Sequence, residues 1–186
     1  MKSVAKYVGC TAAASVMALA ITSSPAAAQD AGNVEVSGGY QFNRLSPSDC
    51  GGSDCSLNAN GWYADVAGPI SPMLSWVGVV DGVYKEEDGE TLKVHSYGGG
   101  IRISSKKSPK VTPFGQITIG GATASGFGDS ISAFALTLGG GVNVPVNDKL
   151  GVRAQADYRG IFFDENDGGR VDGARIVVGA YFALGK

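Results

Sequence analysis

The chain carries a single histidine, His95, beside Ser96 and just before Tyr97-Gly98-Gly99-Gly100. A serine and a histidine can form a nucleophile–base pair only if they come within hydrogen-bond reach of each other. Neighbours in a β-strand point to opposite faces, so in an extended segment these two cannot meet. The run Asp164-Glu165-Asn166-Asp167-Gly168-Gly169 offers oxygen ligands at alternate positions, as a calcium loop does. It departs from the EF-hand pattern, because Gly168 stands where Asp or Asn is required and Arg175 stands at the closing Glu position. It reads as a solvated acidic loop, with weak divalent-cation binding as the alternative. Gly139-Gly140-Gly141 and Gly98-Gly99-Gly100 lack the Lys-Ser/Thr and the following helix of a phosphate loop. They read as points of tight sheet curvature. One His and three Cys leave little material for a His/Cys metal centre. No catalytic residue, metal site or cofactor is expected, and the chain does not read as an enzyme.

Charge alternating with apolar residues is the more informative chemistry. From Leu150, one face carries Leu150, Val152, Ala154, Ala156 and Tyr158, and the other carries Gly151, Arg153, Gln155, Asp157 and Arg159. Similar alternation elsewhere places Glu35, Asp65, Asp81, Arg102, Gln116 and Arg175 on the polar faces of their segments. The charged members are four acids and four arginines. If these faces point into a closed space, the charges must pair, since an unpaired buried charge costs several kcal/mol. Arginine suits the task because its fork binds a carboxylate bidentately. The set reads as an interior network of salt bridges and hydrogen bonds, with a narrow gated ion path as the functional alternative.

Eight segments of period two are available to position these groups: about 33–44, 57–68, 73–84, 91–104, 110–121, 131–144, 149–162 and 173–184. Each is about 10–14 residues long, against about 5–6 for ordinary globular strands and about 9–11 for a membrane β-strand. Polar segments 45–56, 85–90, 122–130 and 163–172 follow the odd-numbered strands. Short connections, each carrying proline, follow the even ones: Pro69 to Pro72, Ser105 to Pro109 and Pro145 to Asp148. The first group of connections nets −9 and the second +1. This pattern predicts an all-β fold: an eight-stranded antiparallel up-and-down transmembrane β-barrel, with both termini at the short-turn, periplasmic end. Its lipid face would hold Val34, Val36, Tyr40, Phe42, Trp62, Val66, Phe134, Leu136, Leu138, Val152, Tyr158, Ile176, Val178 and Phe182. Tyr40, Phe42, Trp62, Tyr84, Tyr158 and Phe162 would sit near the interfaces. A soluble lipocalin-like barrel has the same period with the faces reversed, and is the third alternative.

Residues 1–28 read as a cleaved secretory signal peptide: Lys2 and Lys6, an apolar stretch from about Val8 to Ile21, then Ala26-Ala27-Ala28. Residues 29–186 then form the barrel domain. Cys50 and Cys55 remain in a Gly/Ser-rich stretch of an exported chain, and read as a disulfide. Glycine, at 29 of 186 residues, shows no collagen period. No later segment is apolar over the about 20 residues a spanning helix needs. A formal charge of −2 argues against a nucleic-acid partner.

Thr112-Pro113-Phe114-Gly115, the stretch Phe134 to Val142 and the stretch Gly151 to Arg159 resemble the small outer-membrane β-barrel family that includes the barrel domain of outer membrane protein A. Gly179, Phe182 and Leu184 are similar to the C-terminal signal read by the barrel assembly machinery, although Val177 and the final Leu184-Gly185-Lys186 depart from it. The resemblance implies a barrel in the outer membrane of a Gram-negative bacterium, with a structural or interaction role. Its partners would be outer-membrane lipid and lipopolysaccharide, the assembly machinery during biogenesis, and an extracellular contact for the acidic loops. A porin-like passage for ions or small solutes is the competing role.

Overall fold

The computed structural model describes residues 33–47, 56–87, 90–105, 110–126, 129–163 and 169–185. The signal segment 1–28, Cys50, Cys55, and the acidic residues 164–168 lie outside the described residues. Eight strands follow in order: β1 (Val34–Pro47), β2 (Leu57–Pro69), β3 (Leu74–Glu87), β4 (Glu90–Ser104), β5 (Thr112–Gly126), β6 (Asp129–Pro145), β7 (Leu150–Phe163) and β8 (Arg170–Leu184). Each pairs antiparallel with its neighbour, and β1 pairs with β8, so the sheet closes into a barrel. Closure leaves no unpaired edge, the one arrangement besides a helix that satisfies every backbone group in a bilayer.

The two-residue period decides which face each side chain takes. On β7, Gly151, Arg153, Gln155, Asp157 and Arg159 are buried, while Val152, Ala154, Ala156 and Tyr158 are exposed. The same holds around the barrel. Val36, Tyr40, Trp62, Ile101, Ile119, Leu138, Val152, Ile176 and Val178 face outward, and the interior holds mainly polar and charged groups. A soluble barrel built around an apolar ligand would need the reverse.

At the end bearing the termini, strand limits fall within two residues of those expected from the alternation. At the far end the strands run on. β5 reaches Gly126, β3 reaches Glu87, and β6 begins at Asp129. Residues 85–90 and 122–130 are therefore not long loops: β3 connects to β4 through 88–89, and β5 to β6 through 127–128. The β4–β5 connection, 105–111, is longer than either, so connection length alone does not separate the two ends. Polar sequence misled here because cross-strand pairing continues, as in Lys85↔Leu92 and Thr123↔Ser132, once hairpin registers are set. Two turns at the terminal end are built by side chains. Asn147 Oδ1 accepts from the amides of Lys149 (2.9 Å) and Leu150 (2.8 Å), and Ser71 Oγ accepts from Leu74 (3.2 Å).

Candidate functional site: the charged lumen

All eight strands send side chains into the lumen, and the eight charged groups meet there as two alternating chains. The first runs Glu35–Arg153–Asp65–Arg102. Arg153 reaches Glu35 Oε2 at 3.0 Å with one terminal nitrogen and Asp65 Oδ2 at 2.7 Å with the other. Arg102 reaches the same Asp65 oxygen at 2.5 Å. The second runs Arg159–Asp81–Arg175–Asp157. Arg159 grips Asp81 bidentately at 2.6 and 3.0 Å, and Arg175 spans from Asp81 (3.2 Å) to Asp157 (2.6 Å). Each chain contains two acids and two arginines and is neutral. Apart from Glu35, whose side chain is 30% exposed near the terminal end, these side chains are at most 5% exposed.

Neutral polar groups take up much of the remaining donor and acceptor capacity. Gln116 Oε1 accepts from Arg102 at 2.7 and 3.0 Å. Asn143 Oδ1 and Ser37 Oγ each accept from Arg153 at 2.8 Å. Gln155 donates to Asp157 at 2.8 Å, Gln41 donates to Asp81 at 3.3 Å, and Ser96 Oγ accepts from Arg159 at 3.2 Å. Aromatic rings fill the spaces between guanidinium groups. Phe114 lies 4.8 Å from Arg102 and 5.0 Å from Arg153, and Tyr63 lies 5.0 Å from Arg175. Arg153 also lies 5.7 Å from Tyr181. Such placements over a ring face are favourable for a cation. Tyr63 also donates its hydroxyl to Asp65, so one side chain touches both chains.

Room for these groups comes from glycine. A Cβ on Gly139 would lie 2.1 Å from Asp157 Oδ1 and 2.4 Å from the Ala156 carbonyl. One on Gly151 would lie 2.3 Å from the Tyr181 ring. Amid Asp81, Ser96, Thr118, Thr137, Arg159 and Arg175 a void of about 10 Å³ remains, roughly enough for one water. A wider recess of about 490 Å³ opens at the terminal end, beside Asn33, Glu35, Asn147, Asp148 and Tyr181.

Phe114, Tyr63 and Tyr181 were not among the expected lumen residues. The available signal was parity, since each shares a face with Gln116, Asp65 or Arg175. An aromatic residue on a barrel strand otherwise reads as lipid-facing.

His95 and Ser96 separate as alternation requires. Ser96 is buried in the second chain, and His95 is exposed on the outer wall. There Trp62 Nε1 donates to the Tyr84 hydroxyl (3.1 Å), which lies 3.3 Å from His95 Nε2. On the far rim of β7 and β8, Arg170 pairs with Asp172 at 2.8 Å and lies 5.1 Å from the Phe162 ring. The Tyr158 hydroxyl also donates to Asp172. Among the described residues no group of three or more His, Cys, Asp or Glu is arranged to hold a metal.

The profile of the outer membrane protein beta-barrel domain family matches residues 12–182. A search of curated proteins found no match. Among solved structures, Neisserial surface protein A superposes with a TM-score of 0.66 at 14% identity, covering 81% of this chain and 97% of that one. The attachment invasion locus protein Ail of Yersinia pestis gives 0.55 at 19% identity, covering 83% and 99%. OprG of Pseudomonas aeruginosa gives 0.55 at 10% identity, covering 84% and 98%. At these identities the likeness is one of fold.

Proposed function

The chain belongs to the outer membrane protein β-barrel domain family, and on that premise we propose that it is a closed scaffold of the bacterial outer membrane. It acts through what its wall and far end present, and neither transport nor catalysis is its task. The supporting observation is the lumen, where two neutral ion-pair chains and their aromatic packing occupy the space a solute would cross. Opening a path would mean parting several buried charge pairs at once, and breaking even one costs about 3–5 kcal/mol. The outward apolar band meets outer-membrane lipid and lipopolysaccharide. The N-terminal segment directs export, the barrel assembly machinery inserts the chain through its last strand, and the termini stay in the periplasm. Acidic residues such as Glu86, Glu87, Glu90 and Asp129 then lie toward the cell exterior, where an extracellular partner would meet them.

The test is reconstitution of the folded barrel into planar bilayers at neutral pH. The expected result is vesicle-bound, heat-modifiable protein without discrete conductance steps. Steps whose size changes on Arg153→Gln or Asp157→Asn would establish a pore instead. A monodisperse protein that needs no detergent would remove the membrane assignment altogether.

A further inference from the structure

We propose that the outer wall over β2–β4 binds the phosphate of an anionic outer-leaflet lipid, with Lys93 as the cation and Trp62, Tyr84 and His95 as the platform beside it. This rests on the membrane orientation given above. Cross-strand pairing places Trp62, Gly82 and His95 in one outward row, and Asn60, Tyr84 and Lys93 in the next row toward the far end. Gly82 leaves the centre of the lower row open. A Cβ there would lie 2.7 Å from Trp62 Nε1 and 3.0 Å from His95 Cδ2, so the two rings close over it. Tyr84 ties them together, taking the indole N–H at 3.1 Å and meeting His95 at 3.3 Å, with the Tyr and His rings edge to face. The result is a fixed aromatic shelf with an exposed ammonium and an exposed carboxamide above it.

The height of this shelf matches a headgroup. Lys93 lies ten residues beyond Ile103, the last outward residue of β4. At about 3.3 Å per residue and a tilt of ~40°, that is roughly 25 Å along the axis, the full height of the apolar band. Trp and Tyr favour this level, and a lysine there reaches phosphate without leaving water. No ion pair to Lys93 occurs among the described residues. On the opposite wall, the outward donors at this level, Tyr158 beside Ala174 and the Arg170 group that reaches it, are already engaged with Asp172. The site is therefore on one side of the barrel.

Trp62 and Trp76 are the only tryptophans, so Trp76→Phe makes Trp62 the reporter. The mature chain carrying this change is folded into phosphatidylcholine vesicles and titrated with bisphosphorylated lipid A. Emission from Trp62 should shift saturably. Lys93→Gln should raise the half-point about five-fold, the worth of one basic residue near an anionic surface, and Lys93→Arg should restore it. Equal titration by dephosphorylated lipid A, or by the Gln variant, would overturn the proposal. An equal response to inorganic phosphate would assign the site to the free ion and overturn the lipid. The lipid A phosphorus resonance, followed with both tryptophans present, gives a second reading if Trp76→Phe disturbs the fold. Loss of the heat-modifiable band in the parent chain would sink the membrane reading itself, and this site with it.

Discussion

Asp65 joins the two arginines of the first chain. It accepts from Arg102, Arg153 and Tyr63, and it is the only ion-pair partner of Arg102 among the described residues. Asp65→Asn would keep the shape and leave the first chain with two guanidinium groups against Glu35 alone. We expect a loss of about 3–5 kcal/mol, the range for removing one partner of a buried pair. Glu35→Gln should cost about 1 kcal/mol or less, because Glu35 is partly solvated at the mouth and Arg153 retains Asp65. Urea midpoints read from the heat-modifiable gel band would separate the two variants. Equal losses would mean that the first chain does not depend on Asp65 as its centre. The facing of these residues was legible in sequence because a strand has a period of two. Their partners were not: Glu35 and Arg153 are 118 residues apart, and only closure of β1 on β8 brings them together. The inner aromatics were missed for a related reason. Phe114 and Tyr63 serve as packing for guanidinium groups, a role that has no sequence period.

At the scale of a strand, glycine marks where the sheet must admit something. Gly139 on β6 faces inward against Asp157 and the Ala156 carbonyl. Asp157 cannot move aside while it holds Arg175 at 2.6 Å. Gly99 on β4 faces outward, with 3.8 Å to the nearest backbone oxygen. Gly139→Ala should therefore abolish the folded band or cut its yield severely. Gly99→Ala should be neutral, or stabilise by about 0.5–1 kcal/mol, by reducing chain entropy. The comparison is read as folded fraction on refolding into detergent micelles. A tolerated Gly139→Ala would show that the lumen can repack around Asp157. The strands themselves were readable because each has a long alternating pattern. Their far ends were not, because residues such as Lys85 and Thr123 are polar by composition and extended by pairing, and pairing is a property of two strands at once.

Across the whole molecule, the question is whether the two ion-pair chains form one cooperative unit or two. Tyr63 argues for one, with its hydroxyl on Asp65 of the first chain and its ring beneath Arg175 of the second. The strands argue the same way. β7 carries Arg153 for the first chain and Arg159 and Asp157 for the second, and β2 and β3 are paired from Asn60↔Tyr84 to Pro69↔Ser75. A break in either chain would have to open a sheet that both share. The two tryptophans can test this, since Trp76 lies toward the terminal end of β3 and Trp62 lies toward the far end of β2. Single-tryptophan chains made by Trp62→Phe and Trp76→Phe should unfold in urea with the same dependence, once each is compared with its own gel-band transition. Coincident probes are the signature of a two-state transition. If the Trp62 signal moves well before its own band converts while the Trp76 signal does not, the far half opens separately. The second chain would then be a local element, and Tyr63 a contact without coupling.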